Sequence, residues 1–332
     1  MVVDLHEDIG YHYMMAGQSD IQPFDADVKG RHADIPKYRK AGVKLVLGSV
    51  YPMIESLNPR LIGKNQKLYG SWSPSAVPAS VRDVAMELIK IYYSLEEMYP
   101  KALKIVRTKE DLESLGTRTG ILLHIEGTEA LGEPEDLKLF FQLGVRSVGL
   151  TWNYDTKYAA SCLSAKDYGL TGEGEALVAL ANKLGVMVDL SHTSPHTCSD
   201  ALDVSESSPF FSHSNAVALQ ESKRNISDAL IKRTGKRGGI VGLTFISSCI
   251  GKPYTPERIA EHAKHMIKVG GDGLPALGTD YLGMGSTPED LPDISKLGRL
   301  RSALRAAGLA SQAEAILNDN AYRFVLGHSD RW

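Results

Sequence analysis

The sequence predicts an α/β protein whose strands close into a single (β/α)8 barrel. Strand and helix patterns alternate along the chain with no break in composition. The strands are continuous apolar runs, the pattern of a sheet covered on both faces. Several helices end in glycine directly before the next strand, at Gly42, Gly144, Gly185 and Gly238, the usual C-terminal stop signal. Eight such units favour a closed barrel over an open doubly wound sheet. No GxGxxG follows the first strand, so a dinucleotide-binding sheet loses its main support. The 332 residues suit one barrel of the TIM type, typically ~250 residues, with additions.

Taken in order, MVVDLHED is a strand, DIPKYRKAG (34–42) a short helix and VKLVLGSVYPM (43–53) the second strand. The 55–78 stretch, punctuated by Pro and Gly, reads as an insertion after the second strand, a candidate lid or dimer contact. SVRDVAMELIKIYYSLEEMY (80–99) is a strong helix, and KIVRTKEDLESLG a small strand-and-helix addition. TGILLHIEG (119–127) and VRSVGLTWN (145–153) are the third and fourth strands, each followed by a helix. VMVDLSH (186–192) and PFFSH (209–213) are the fifth and sixth, with one helix of polar sequence between them. GIVGLTF (239–245) and LPALGTDYLG (274–283) complete the eight, the helix 255–270 lying between them. Residues 286–332 form a helical extension expected to pack outside the barrel. The whole of 1–332 reads as one domain.

Composition narrows the function. A net charge of −3 with no basic run argues against nucleic acid. No stretch approaches the ~20 apolar residues of a membrane span, and MVVDLHEDIG lacks the pattern of a signal peptide. The three cysteines, Cys162, Cys198 and Cys249, are far apart and odd in number. They read as free thiols in a reducing compartment, and a cytoplasmic protein is expected. A homodimer is the expected assembly.

In such a barrel, function sits at the C-terminal ends of the strands. There the first strand carries His6-Glu7-Asp8, the third Glu126, the fifth His192, the sixth His213 and the eighth Asp280. His6 and Asp8 are two apart and share a face, whereas Glu7 points away. A lone histidine at a strand end is more often a hydrogen-bonded neighbour than a ligand. Five strand ends converging on one rim would bury several charges together, and metal cations supply the compensation. His262 and His265 read as solvated, His196 as helical and His124 as packing lower in the barrel.

These residues carry a resemblance. HED after the first strand, IEG (125–127), GVMVDLSH (185–192), PFFSHSNA (209–216), KRN (223–225) and LGTDYLGM (277–284) resemble the membrane (renal) dipeptidase family. The match runs nearly end to end, from ADIPKYRKAGV to ILNDNAYRFV. The family's members are binuclear zinc peptidases of the amidohydrolase superfamily. The resemblance implies that His6 and Asp8 bind one metal, His192 and His213 the other, and that Glu126 bridges them. It implies a hydroxide between two divalent ions attacking a dipeptide, Asp280 transferring the proton and Arg224 holding the C-terminal carboxylate. It also implies tolerance of an L- or D-residue on the C-terminal side. The ions would be zinc, although N and O ligands also accept Mn or Co.

The sequence departs from the family pattern at Trp152, where the animal-type enzymes carry a substrate-contacting His. Trp offers an N–H donor but cannot be protonated; Asn153 or Tyr154 could supply the polar contact, or Trp152 could be a packed rim aromatic. No lysine at this strand end offers a carbamate bridge. Two rivals stay open: hydrolysis of another amide, such as an N-acyl amino acid or lactam, and a non-catalytic barrel that binds a metal or ligand. Arg224 could equally pair with a surface acid.

Overall fold

The computed structural model of the chain describes residues 1–16, 22–51 and 80–332. The 55–78 stretch therefore lies outside the described residues. The chain runs β1 (Val2–Glu7), α1 (Ile9–Ala16), α2 (Ile35–Ala41), β2 (Val43–Val50), α3 (Val81–Met98), β3 (Leu103–Ile105), α4 (Lys109–Glu113) and β4 (Thr119–Glu126). It continues through α5 (Asp136–Gln142), β5 (Val145–Gly149), α6 (Gly172–Leu184), β6 (Met187–Asp189) and α7 (Pro195–Val204). The last third holds α8 (Asp228–Lys236), β7 (Val241–Leu243), α9 (Ser247–Ile250), α10 (Pro256–Gly270), β8 (Pro275–Leu277), α11 (Gly298–Ala306) and α12 (Asn320–His328). The strands form one curled parallel sheet in the order β6-β5-β4-β2-β1-β8-β7, with β3 beside the first half of β4. Among the described residues no helix is long and apolar enough to cross a membrane.

Local chemistry sets the helix ends. The Asp34 side chain accepts from Lys37 N, proline opens α2, and Gly42 closes it in the left-handed region at φ 72°. Thr171 caps α6 in the same way, and Gly185 ends it at φ 74°.

The sheet has two apolar faces. Val46, Ile121, Leu123, Ile125, Val148, Val188 and Leu243 pack outward against the helices. Leu5, Leu45, Leu47, Leu122, Met187, Phe210 and Ala276 pack inward. Towards the C-terminal ends the inward residues turn polar: Ser49, His124, Glu126, Ser147 and Asp189, all buried. On β1 the ladder shifts register between Asp4 and Glu7, so that Leu5 and His6 together stand opposite Leu47. Such a bulge re-aims a side chain, and His6 and Asp8 join the site while Glu7 accepts from Tyr38 Oη on the helix side at 2.5 Å.

The structure departs from the sequence reading in two places. PFFSH is not a ladder strand; Phe210 makes a single parallel bridge to Asp189 and Phe211 one to Val241. Beyond them, backbone donors that a ladder would use go to side chains: Ser212 N to Asp189 Oδ1 at 2.8 Å and His213 N to Ser191 Oγ at 3.0 Å. The C-terminal helix α12 also does more than pack outside. Phe324 and Val325 join the inward cluster, and the Phe324 ring lies 5.2 Å from that of Phe210. It covers apolar residues that the open lower mouth of the sheet would expose.

The 209–213 segment is seated by two glycines. A Cβ on Gly242 or on Gly278 would collide with the Ser212 carbonyl, so only glycine permits that approach. Replacing Gly242 with alanine should lower the unfolding free energy of the metal-free protein by about 1–3 kcal/mol. Urea denaturation checks this, and an unchanged midpoint would refute the seat.

Candidate metal centre

Glu126, the last residue of β4, stands at the centre of the mouth. Its Oε2 accepts from Ser49 Oγ on β2 at 3.0 Å and lies 3.5 Å from His6 Nε2. Its Oε1 lies 3.1 Å from His192 Nε2 and 3.5 Å from His213 Nε2. His6 Nε2 is also 3.6 Å from Asp8 Oδ2, and His213 Nε2 is 3.9 Å from Asp280 Oδ2. All six side chains named from the strand ends thus meet, and all but the partly exposed Asp280 are buried residues. Their donor atoms form two groups that share His6: one with Glu126 and His213, one with Asp8 and Asp280.

The electrostatics suit a cation. Burial pushes the Glu126 carboxyl up, but His6 and His192 outweigh it and hold it well below its ordinary range. Burial favours a neutral His6, yet Glu126 and Asp8 raise it well above the usual imidazole value. His192 and His213 are pushed down by burial, with the Arg224 charge adding. Burial raises Asp280, as do the charges of Asp8 and Glu126. Neither ring nitrogen of fully buried His6 has a hydrogen-bond partner. An orphaned imidazole beside three carboxylates is what a divalent ion would satisfy, so the residues fit the group.

A polar layer beneath aims the imidazoles. Asn153 Oδ1 accepts from His192 Nδ1 at 2.8 Å. Ser212 Oγ contacts His213 Nδ1 at 2.7 Å and donates to Asp189 Oδ2 at 2.6 Å. With Nδ1 occupied, Nε2 is left for the mouth in both rings. Asp189 also lies 3.3 Å from His124 Nε2, whose Nδ1 meets Ser147 Oγ at 3.0 Å. His124 thus belongs to this polar layer. On the other side, Asp4 ties β1 to β8 by accepting from Thr279 N at 2.9 Å, Thr279 Oγ1 at 2.6 Å and His6 N at 3.2 Å. Asp189, Ser212, Ser49 and Asp4 escaped the sequence reading; period-two alternation from the ligands reaches only Asp4, two residues before His6, and the bulge on β1 breaks that spacing.

His192 and Asp280 are strained, both non-glycine residues at positive φ, 67° and 68°. Such backbone costs of order 1–3 kcal/mol and collects at functional sites. Arg224, half-buried, donates from Nη2 to His213 O at 3.4 Å and forms no ion pair among the described residues; its charge acts on His192, His213 and Asp280. Trp152 packs 4.8 Å from the Tyr51 ring and 5.9 Å from His192. Asn153 presents its Oδ1 to the His192 ring. His262, expected to be solvated, is fully buried: it accepts from Ala216 N at 3.2 Å and binds Ile250 O at 2.9 Å, joining two loops.

A curled parallel α/β sheet with imidazoles and carboxylates gathered at its C-terminal mouth is the architecture of a metal-dependent hydrolase. The sequence model of the membrane dipeptidase family, peptidase family M19, matches residues 1–328. The chain belongs to that family and with it to the metallo-dipeptidases. A dipeptidase of Schizosaccharomyces pombe, described as uncharacterized, is 31% identical over 339 residues, covering 97% of this chain and 79% of that protein. Dipeptidase tcpJ of Claviceps purpurea is 30% identical over 337 residues, 97% of this chain and 76% of its own. In fold, the chain resembles a metallopeptidase of Rhodobacter sphaeroides solved with a phosphinate mimic of the dipeptide L-Ala-D-Ala: TM-score 0.82, 24% identity, 98% of both chains.

The Asp189–Ser212–His213 chain generates a prediction. Asp189→Ala should weaken divalent-metal affinity by about 10–100-fold, measured by chelator competition on folded protein. Wild-type affinity would show that His213 needs no such support.

Proposed function

We propose that the chain hydrolyses the peptide bond of dipeptides, an L-residue followed by an L- or D-residue, with two divalent ions, zinc for preference. The observation that carries the reading is the meeting of His6, Asp8, Glu126, His192 and His213 around an imidazole that no protein group satisfies. His6 and Asp8 would hold one ion, His192 and His213 the other, with Glu126 between them. The D-residue option draws on the resemblance and on the mimic bound in the Rhodobacter relative. We read the curled sheet as a (β/α)8 barrel closed by the 209–213 segment, with residues 55–78 inserted after β2. Three buried free thiols fit a reducing compartment, the cytoplasm.

Bound there, the ions would polarise the scissile carbonyl and activate the attacking water. The chain's residues do the rest. Asp280 Oδ2 takes the proton from that water and returns it to the departing amine; its raised affinity for protons suits both transfers. The Arg224 guanidinium holds the substrate carboxylate, a planar fork against a planar acceptor. Trp152 and Tyr51 wall the entrance and exclude water. Asn153 keeps the His192 ring aimed.

Elemental analysis beside activity tests the reading. Wild type should carry two ions per chain and cleave dipeptides in preference to N-acyl amino acids; a rate confined to N-acyl substrates would sink the dipeptidase reading. Glu126→Ala should fall to one ion or none, and an unchanged count removes the bridge. Asp280→Asn should keep its ions and lose about 10²–10⁴-fold in kcat; a kcat within a few-fold of wild type would free Asp280 of the proton role.

A further inference from the structure

We propose that the carboxylate of Glu129 receives the free α-ammonium of the substrate, so that the mouth selects an unblocked N-terminus. The inference rests on the dipeptidase reading and adds to it the group that reads the amino end.

Glu129 sits in the single turn Thr128–Ala130, three residues beyond Glu126. Its side chain folds back over Gly127, which adopts φ 92°; a Cβ there would collide with Glu129 Oε2 and stand 3.0 Å from Trp152 N. The carboxylate therefore lies between the ends of β4 and β5, beside the residue that follows Glu126. Although the residue as a whole is partly exposed, both carboxylate oxygens are shut off from solvent, and neither has a hydrogen-bond partner among the described residues. Burial pushes the acid up to about 7, and the Glu126 charge adds to the shift.

A buried acid with no partner is costly and needs a cation. Among the described residues, the basic side chains near this turn are engaged elsewhere: Arg82 pairs with Asp136, and Lys157 with Glu173. Glu129 belongs to neither of the donor groups that could hold a metal. A substrate ammonium supplies the missing charge and up to three N–H donors. The placement suits it. Arg224 follows the 209–213 segment, three strands round the curl from β4, so a carboxylate held there leaves the amino end on the β4–β5 side. The scissile bond then crosses the imidazole and carboxylate cluster. An N-acyl amino acid would bring an uncharged acyl chain to Glu129 and leave the acid uncompensated, so this residue separates dipeptides from the rival amide substrates.

The test compares L-Ala-D-Ala with its des-amino analogue, N-propionyl-D-alanine, on zinc-loaded full-length enzyme. Wild type should prefer the dipeptide by about 10–100-fold in kcat/KM, the worth of a charge-assisted contact. Glu129→Gln should raise the dipeptide KM by a similar factor, change kcat less, keep its zinc and lose the preference. Should that variant not fold, Glu129→Asp is read instead: drawn back by one methylene, it should keep the preference at a higher KM. A wild type indifferent to the ammonium, a Gln variant that keeps the preference, or an Asp variant with wild-type KM overturns the inference and leaves the dipeptidase reading standing. No dipeptide cleavage by wild type overturns that reading, and the inference with it.

Discussion

The negative charge of Glu126 organises the mouth of this sheet. One carboxylate reaches His6, His192 and His213 at 3.1–3.5 Å while Ser49 holds it from below. Three imidazoles gathered so closely call for a negative charge, because each loses hydration on burial and a cation on any one disfavours the others. Glu126 is pulled down by the imidazoles, and His6 is pushed up by the acids. Such a cluster stands poised between protons and metal ions, and its members exchange the one for the other.

Much of this was legible in the sequence, for a simple reason. Strands alternate faces, and a parallel curl brings their C-terminal ends together. Reading only the last polar residue of each apolar run therefore finds His6, Asp8, Glu126, His192, His213 and Asp280. What stayed hidden depends on departures from regularity. The extra residue at Leu5–His6 leaves no mark in composition, yet it turns His6 inward beside Leu5. PFFSH has the apolar run of a strand, but Asp189 and Ser191 take its later backbone donors. His262 looked solvated, yet it lies at helical spacing from Ile259 and Met266 on the buried face of α10, where it meets Ala216 N and Ile250 O. The supporting acids Asp4 and Asp189 were invisible because a buried carboxylate within an apolar run is unremarkable until its partners are known.

Strain and close packing occur where the ligand positions must be held. His192 and Asp280 adopt left-handed backbone that their side chains disfavour. Each is held by a neighbour: the His192 ring by Asn153, and the Asp280 backbone by its N–H to His6 O at 3.0 Å. Between these two strand ends the Ser212 carbonyl fits between Gly242 and Gly278. The three devices share one logic. Each fixes a side chain through backbone placement, which a rotamer change cannot undo, so the cluster keeps its geometry while charges within it come and go.

Trp152 changes how protons must move on the proposed reading. An imidazole at the β5 end could stabilise a developing oxyanion and titrate as it did so; an indole cannot. The neighbouring amide of Asn153 cannot titrate either, and its Oδ1 accepts from His192 Nδ1. On the proposed reading, proton transfer would be left to Asp280, 3.9 Å from His213, and charge stabilisation to the ions the site would hold and to Arg224. Trp152 contributes exclusion instead. Packed between Tyr51 and His192, it would keep water from the entrance on that reading and so strengthen the remaining charged contacts. On that reading proton transfer would rely on a single carboxylate, Asp280, whose affinity for protons is raised by burial and by the charges of Asp8 and Glu126.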